Sequence, residues 1–212
     1  MKVLSIDTGK KHFAWALCSS KKGVIENGMI EKTITSLSDR FINKQFYDFK
    51  KEFKKIRDLA IKNKCIFIIA ERFQSRPGGG FGFGANAEYI NVMIGVMGSM
   101  CRGKILFKAI MPSVWKTYFK RKLKLDKKQK MEAPNLFGFY DMKKNVTTYP
   151  ILEHQFDACG IGLHSLEKKL EKPFIILFRN SLFKLWKEKI KETPKKYKGA
   201  QSINLVKVIY KG

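Results

Sequence analysis

Six consecutive apolar residues, Cys65-Ile66-Phe67-Ile68-Ile69-Ala70, run directly into Glu71. A run of this length, rich in β-branched and aromatic side chains, reads as a strand buried on both faces, and such a strand needs helices above and below it. Helical patterns flank it on both sides. Between Asp39 and Asn63, the residues Phe41, Phe46, Phe49, Phe53, Ile56, Leu59 and Ala60 fall on one helical face while lysines fill the gaps, which is an amphipathic helix. Ala85 to Cys101 is apolar nearly all round and rich in small residues. It demands burial on more than one side, by its own sheet and by a partner subunit.

The remaining segments complete a sheet. Val3 to Ile6 reads as a short buried strand ending at Asp7-Thr8-Gly9, and His12 to Ser20 reads as the returning arm of a hairpin. Val24 to Thr35 follows the Lys22-Gly23 turn as a third strand, and Lys104 to Met111 is a fifth, stopped by Pro112. A short helix covers Ser113 to Phe119. His154 to Lys169 is a late helix with Phe156, Ile161, Leu163 and Leu166 among its apolar positions, and the stretch before it is poorly patterned. Three strands, helix, strand, helix, strand and late helix is the order of an RNase H-like mixed five-stranded sheet flanked by helices. In that order strands 4 and 5 run parallel to strand 1. Asp7 and Glu71 then emerge at the same edge of the sheet, and the late helix leans His154 and Asp157 over that point.

Charge narrows the function. The chain has 43 Lys and Arg against 18 Asp and Glu, a formal net charge of +25, so its partner is expected to be a polyanion. With 44% hydrophobic residues it can still bury a substantial core. No apolar run reaches the ~18 to 20 residues that span a bilayer, and Asp7 interrupts the opening segment where a signal peptide would stay apolar. The expectation is a soluble, cytoplasmic chain with no membrane partner. Cys18, Cys65, Cys101 and Cys159 have no paired spacing and read as buried free thiols. In so basic a chain, drawing carboxylates together makes sense only if divalent cations neutralise them. Oxygen ligands favour Mg²⁺, with Mn²⁺ as a substitute, and a pair of ions about 4 Å apart can break a phosphodiester.

At Ser5-Ile6-Asp7-Thr8-Gly9, at Ala70-Glu71-Arg72-Phe73 and at His154-Gln155-Phe156-Asp157-Ala158, the sequence resembles the three catalytic segments of RuvC-type Holliday junction resolvases, including their phage and large-virus branches. The resemblance spans residues 1–170 as a nuclease domain and leaves 171–212 as a basic C-terminal extension. It implies a homodimeric, Mg²⁺-dependent endonuclease that nicks opposed strands of a four-way DNA junction, leaving 5′-phosphate and 3′-hydroxyl ends. It also makes a phage or virus genome one expected source. By the same resemblance two ions are held, Asp7 bridging them, Glu71 on one, and His154 with Asp157 on the other. An imidazole ligand must be neutral, so activity is expected to fall more steeply below about pH 6 than with carboxylates alone. Lys116 lies in a Pro-x-x-x-Trp-Lys segment of the phage-like branch and joins the catalytic set.

Other residues are expected to meet DNA. Arg72, Phe73, Arg76, Phe81 and Phe83 belong to a Gly-rich stretch after Glu71, whose aromatic rings can stack on bases at the crossover. Lys120, Arg121, Lys122, Lys127 and Lys128 belong to a basic run suited to phosphate. Gly82-Phe83-Gly84-Ala85-Asn86-Ala87 fits a dinucleotide-type GxGxxA, but no acid between Glu88 and Asp126 could hold a ribose, so no nucleotide cofactor is expected. Asp7-Thr8-Gly9-Lys10 resembles the phosphate hairpin of actin-like ATPases, which need a duplicated domain that 212 residues do not hold. Two readings compete with the resolvase: a less selective flap or fork endonuclease, and a non-catalytic basic nucleic-acid-binding protein.

Overall fold

The computed structural model describes residues 1–9, 13–30, 38–73, 82–122, 139–141, 146–148 and 152–167. Five strands form one sheet in the order β3-β2-β1-β4-β5. β1 (Lys2–Thr8) pairs antiparallel with β2 (Phe13–Ser19) from Lys2 opposite Ser19 to Thr8 opposite Phe13, and β2 pairs antiparallel with β3 (Gly23–Ile30). On its other side β1 runs parallel to β4 (Ile68–Glu71), with Ile6 opposite Ala70, and β4 runs parallel to β5 (Phe107–Ile110). This is the RNase H-like mixed sheet that the element order implied.

Helices cover both faces. α1 (Asp39–Lys62) and α2 (Gly82–Cys101) lie on the face that carries Leu4, Ile6, Phe13, Ile68 and Ala70. There Phe49, Phe53, Ile56, Met93 and Met97 close a core in which Phe13 meets Phe49 edge-on with ring centroids 5.4 Å apart. α1 ends with Lys64 at φ 53°, the Lys64 amide donating to the Ile61 carbonyl and the Cys65 amide to the Ala60 carbonyl. That pair of bonds is the Schellman arrangement, built here without the usual glycine. α3 (Pro112–Lys122) begins on Pro112, whose fixed φ suits the first helical position.

α4 (Leu152–Glu167) crosses the opposite face against β1, β2 and β3. The residues below it are Ser5, Ala14, Ala16 and Cys18, small enough for the helix backbone to come close. Contact is tightest at Gly162, where an added Cβ would stand 2.5 Å from Ser5 Oγ and 2.6 Å from Cys18 Sγ. Ser5 Oγ sits 2.6 Å from the Ala158 carbonyl and 3.1 Å from the Ala16 carbonyl, so one hydroxyl ties the helix to both strands.

The structure revises some sequence boundaries. β4 and β5 are each four residues long, and Cys65 to Phe67 lead from α1 into β4, the Ile66 amide donating to the Lys2 carbonyl. α2 begins at Gly82, three residues earlier than expected. Cys65 is only half-buried, whereas Cys18, Cys101 and Cys159 are buried, and all four are free thiols. A two-stranded ladder of β6 (Phe139–Asp141) and β7 (Val146–Thr148) occupies part of the unpatterned stretch. Among the described residues, no helix is long and apolar enough to cross a membrane.

Candidate active site

Strand alternation turns Ser5 and Asp7 toward the α4 face while Leu4 and Ile6 face the aromatic core. Because Ile6 pairs with Ala70 in the parallel ladder, Glu71 follows at the level of Asp7. Thr8 Oγ1 donates to the Glu71 carbonyl, and the Arg72 amide donates to the Ile110 carbonyl at 2.8 Å, so the end of β4 is held on both sides. Seated by Ser5, α4 presents His154 and Asp157 one turn apart. The site therefore forms beyond the carboxyl ends of parallel strands, where open α/β sheets place their ligand crevices.

Each acid has a specific partner. Asp7 Oδ2 is 2.7 Å from His154 Nδ1. A carboxylate oxygen accepts, so Nδ1–H donates in this contact and the lone pair of the neutral ring lies on Nε2. Trp115 Nε1 donates to Glu71 Oε2 at 2.6 Å, and Lys116 Nζ donates to Asp157 Oδ2 at 2.7 Å. These are sheltered contacts, the Asp7 and Asp157 side chains being 8% and 7% exposed and those of Lys116 and His154 21% and 34%.

The electrostatics show that the acids share one field. Burial, then the charges of Asp7 and Asp157, push the Glu71 carboxyl up to about 8, against the opposing pull of Lys116 and the Trp115 hydrogen bond. Burial by itself would lower the Lys116 ammonium, but Asp157, Glu71 and Asp7 together outweigh it and hold it above its ordinary value. The cation already placed among these acids is the Lys116 ammonium. Asp7, Glu71 and Asp157 offer hard oxygen donors and His154 a nitrogen, a set suited to Mg²⁺ or Mn²⁺. Among the described residues, no group of three or more His, Cys, Asp and Glu side chains is arranged so that it could hold a metal ion as it stands. The acids are turned instead to His154, Trp115 and Lys116.

Asp7, Glu71, His154, Asp157 and Lys116 are thus brought to one place from β1, β4, α4 and α3. Arg72 is exposed just beyond Glu71, and Phe73 is half-buried. Phe83 belongs to the first turn of α2, and Lys120, Arg121 and Lys122 to the last turn of α3. Arg76, Phe81, Lys127, Lys128 and the extension 171–212 lie outside the described residues. The sequence singled out Lys116 in its Pro-x-x-x-Trp-Lys segment but not Trp115, which is fully buried and whose indole N–H also holds Glu71. Ser5 and Gly162 were missed as well, although the alternation of small residues Ala14, Ala16 and Cys18 along β2 marks a face built for close approach.

No family model matches the sequence, and no curated protein matches it. Among solved structures the chain is similar to Thermus thermophilus RuvC in complex with Holliday junction substrate, at 12% identity over 82% of this chain and 99% of that one, with a TM-score of 0.48. It is also similar to the yeast mitochondrial Holliday junction resolvase Ydc2, at 15% identity over 86% of this chain and 83% of that one, with a TM-score of 0.47. A third likeness is to the fowlpox virus resolvase with substrate Holliday junction DNA, at 13% identity, 81% and 100% coverage and a TM-score of 0.37. These are likenesses of fold to RuvC-type resolvases, and the chemistry of this chain is read from its own side chains.

Proposed function

We propose that the chain is a Mg²⁺-dependent endodeoxyribonuclease that resolves four-way DNA junctions. The observation that carries this reading is the clustering of Asp7, Glu71 and Asp157, three acids from distant parts of a basic chain, where burial and then the charges of Asp7 and Asp157 raise Glu71 and Asp157 bonds Lys116. Asp7, Glu71 and Asp157 would hold the ions, with His154 contributing Nε2 while its Nδ1–H orients on Asp7. Bound Mg²⁺, two ions in this reading and replaceable by Mn²⁺, supplies an activated water and stabilises the leaving oxygen of the phosphodiester. The protein's own part is to fix the acids on rigid elements: Ser5 seats α4, Thr8 steadies the end of β4, and Trp115 orients Glu71. The surplus of 25 positive charges brings the phosphate backbone to that edge with a steep dependence on salt.

Paired nicks need paired sites. α2 keeps Tyr89, Ile90, Val92, Ile94, Val96 and Met100 only partly buried around its circumference, which favours a homodimer joined through this helix. The test is cleavage of labelled four-way junction, fork, flap and linear duplex with Mg²⁺, run beside Asp7→Asn. Symmetric nicks in the junction, absent with Asp7→Asn, are the expected result. Equal cutting of forks and flaps would replace this reading with a general branched-DNA nuclease, and binding without cleavage would leave only a basic DNA-binding protein. Light scattering that finds only monomers on junction DNA would remove the paired-site account.

A further inference from the structure

Trp115 and Lys116 are consecutive in α3, yet their side chains take two carboxylates that come from different elements, Glu71 at the end of β4 and Asp157 in α4. The two contacts support each other, for Lys116 Nζ lies 4.9 Å from the centroid of the Trp115 ring. The Lys116–Asp157 pair is largely sheltered, at 21% and 7% side-chain exposure. A pair so withdrawn from water persists only when each charge is compensated, and removing one partner leaves the other stranded. Asp157 is bonded to this ammonium, the charges of Glu71 and Asp7 reach it, and no three acids or histidines among the described residues are set to hold a metal ion as they stand. An amine and a divalent ion have the same reason to be there and compete for the charge of Asp157.

We infer that Lys116 is the resident cation of the acidic cluster, and that a divalent ion enters by exchange, displacing the Lys116 ammonium from Asp157 while Trp115 keeps Glu71 in place. Ion affinity is then set by competition with Lys116 as much as by the acids. The displaced ammonium becomes one more positive group beside the ion, free to take a phosphate oxygen, so metal and DNA each strengthen the binding of the other. This rests on the reading of the cluster as a divalent-ion site.

The experiment is Mn²⁺ titration of the full chain without DNA, followed by electron paramagnetic resonance, for the unaltered protein, Lys116→Met and Lys116→Arg. Removing the competing charge should tighten Mn²⁺ binding by roughly tenfold or more in Lys116→Met, about 1.4 kcal/mol. Lys116→Arg, which keeps the charge, should not bind more tightly than the unaltered protein. Binding by the unaltered protein that is equal or weaker in Lys116→Met would overturn the exchange while leaving the ion site standing. No Mn²⁺ binding by either would overturn the ion site and the exchange with it. A second readout needs no variant. Amine labelling of Lys116, followed by peptide mass spectrometry, should accelerate when the unaltered protein is saturated with Ca²⁺, and an unchanged or slower rate would contradict displacement.

Discussion

The two faces of the central sheet are built on different principles. Under α1 and α2 the strands present Leu4, Ile6 and Phe13 to a bulky aromatic layer, and Phe49 and Phe53 there are fully buried. Under α4 the same strands present Ser5, Asp7, Ala14, Ala16 and Cys18, and the helix answers with Ala158 and Gly162. The first face removes much apolar area from water and supplies stability. The second gives up that bulk so that a helix can approach closely enough to set Asp157 and His154 beside strand acids. A single strand thus serves both ends, every second residue of β1 facing the stabilising layer and the others the chemical one.

The comparison breaks most sharply at its extremes. Phe53→Ala should cost about 3 to 5 kcal/mol in urea unfolding through the cavity it leaves, with junction cleavage by the folded fraction unchanged. Asp7→Asn should do the reverse, lowering single-turnover cleavage by on the order of 10³-fold, about 4 kcal/mol of barrier, without a loss of stability. If Asp7→Asn unfolded the protein as Phe53→Ala does, the two faces would not be separable.

Acidity sharpens it further. Glu71 is held at about 8 in the ion-free protein, above the ordinary 4.5 it returns to on unfolding. The folded state therefore keeps its proton between those values while the unfolded state loses it. Ion-free stability should fall as pH rises from 4.5 to 8 and then level off, by an amount that solvent screening of this half-buried side chain reduces. Urea titrations across that window should show the fall, and Glu71→Gln should flatten it.

Gly162→Ala probes the close approach itself. Its Cβ would fall 2.5 Å from Ser5 Oγ, so helix or strand must move, at about 1 to 3 kcal/mol, and cleavage should drop with stability because Asp157 moves too. Ser5→Ala in the same chain should recover part of the stability. The smallest effect belongs to neither face. Lys64→Gly should stabilise the protein by about 1 kcal/mol, since Lys64 holds φ 53° at the end of α1, and should leave cleavage unchanged.

Much of the fold was legible because its elements obey strong periods. The apolar run into Glu71 and the phenylalanine stripe of α1 declare burial by themselves, and the order of elements then sets strand 1 beside strand 4. The acids were legible for the same reason, lying at the ends of readable elements. Trp115 was not, because a buried indole satisfies the core and a hydrogen bond with the same side chain, and only the partner's position distinguishes the two. The β6–β7 ladder was hidden because two strands of three residues are too short for a period to show.

The most direct measurement is anomalous diffraction from crystals of the full chain soaked in Mn²⁺. The account predicts manganese peaks in contact with the carboxylates of Asp7, Glu71 and Asp157, with the Lys116 ammonium moved off Asp157. Peaks elsewhere on the molecule, with Lys116 still bonded to Asp157 at saturating Mn²⁺, would contradict it.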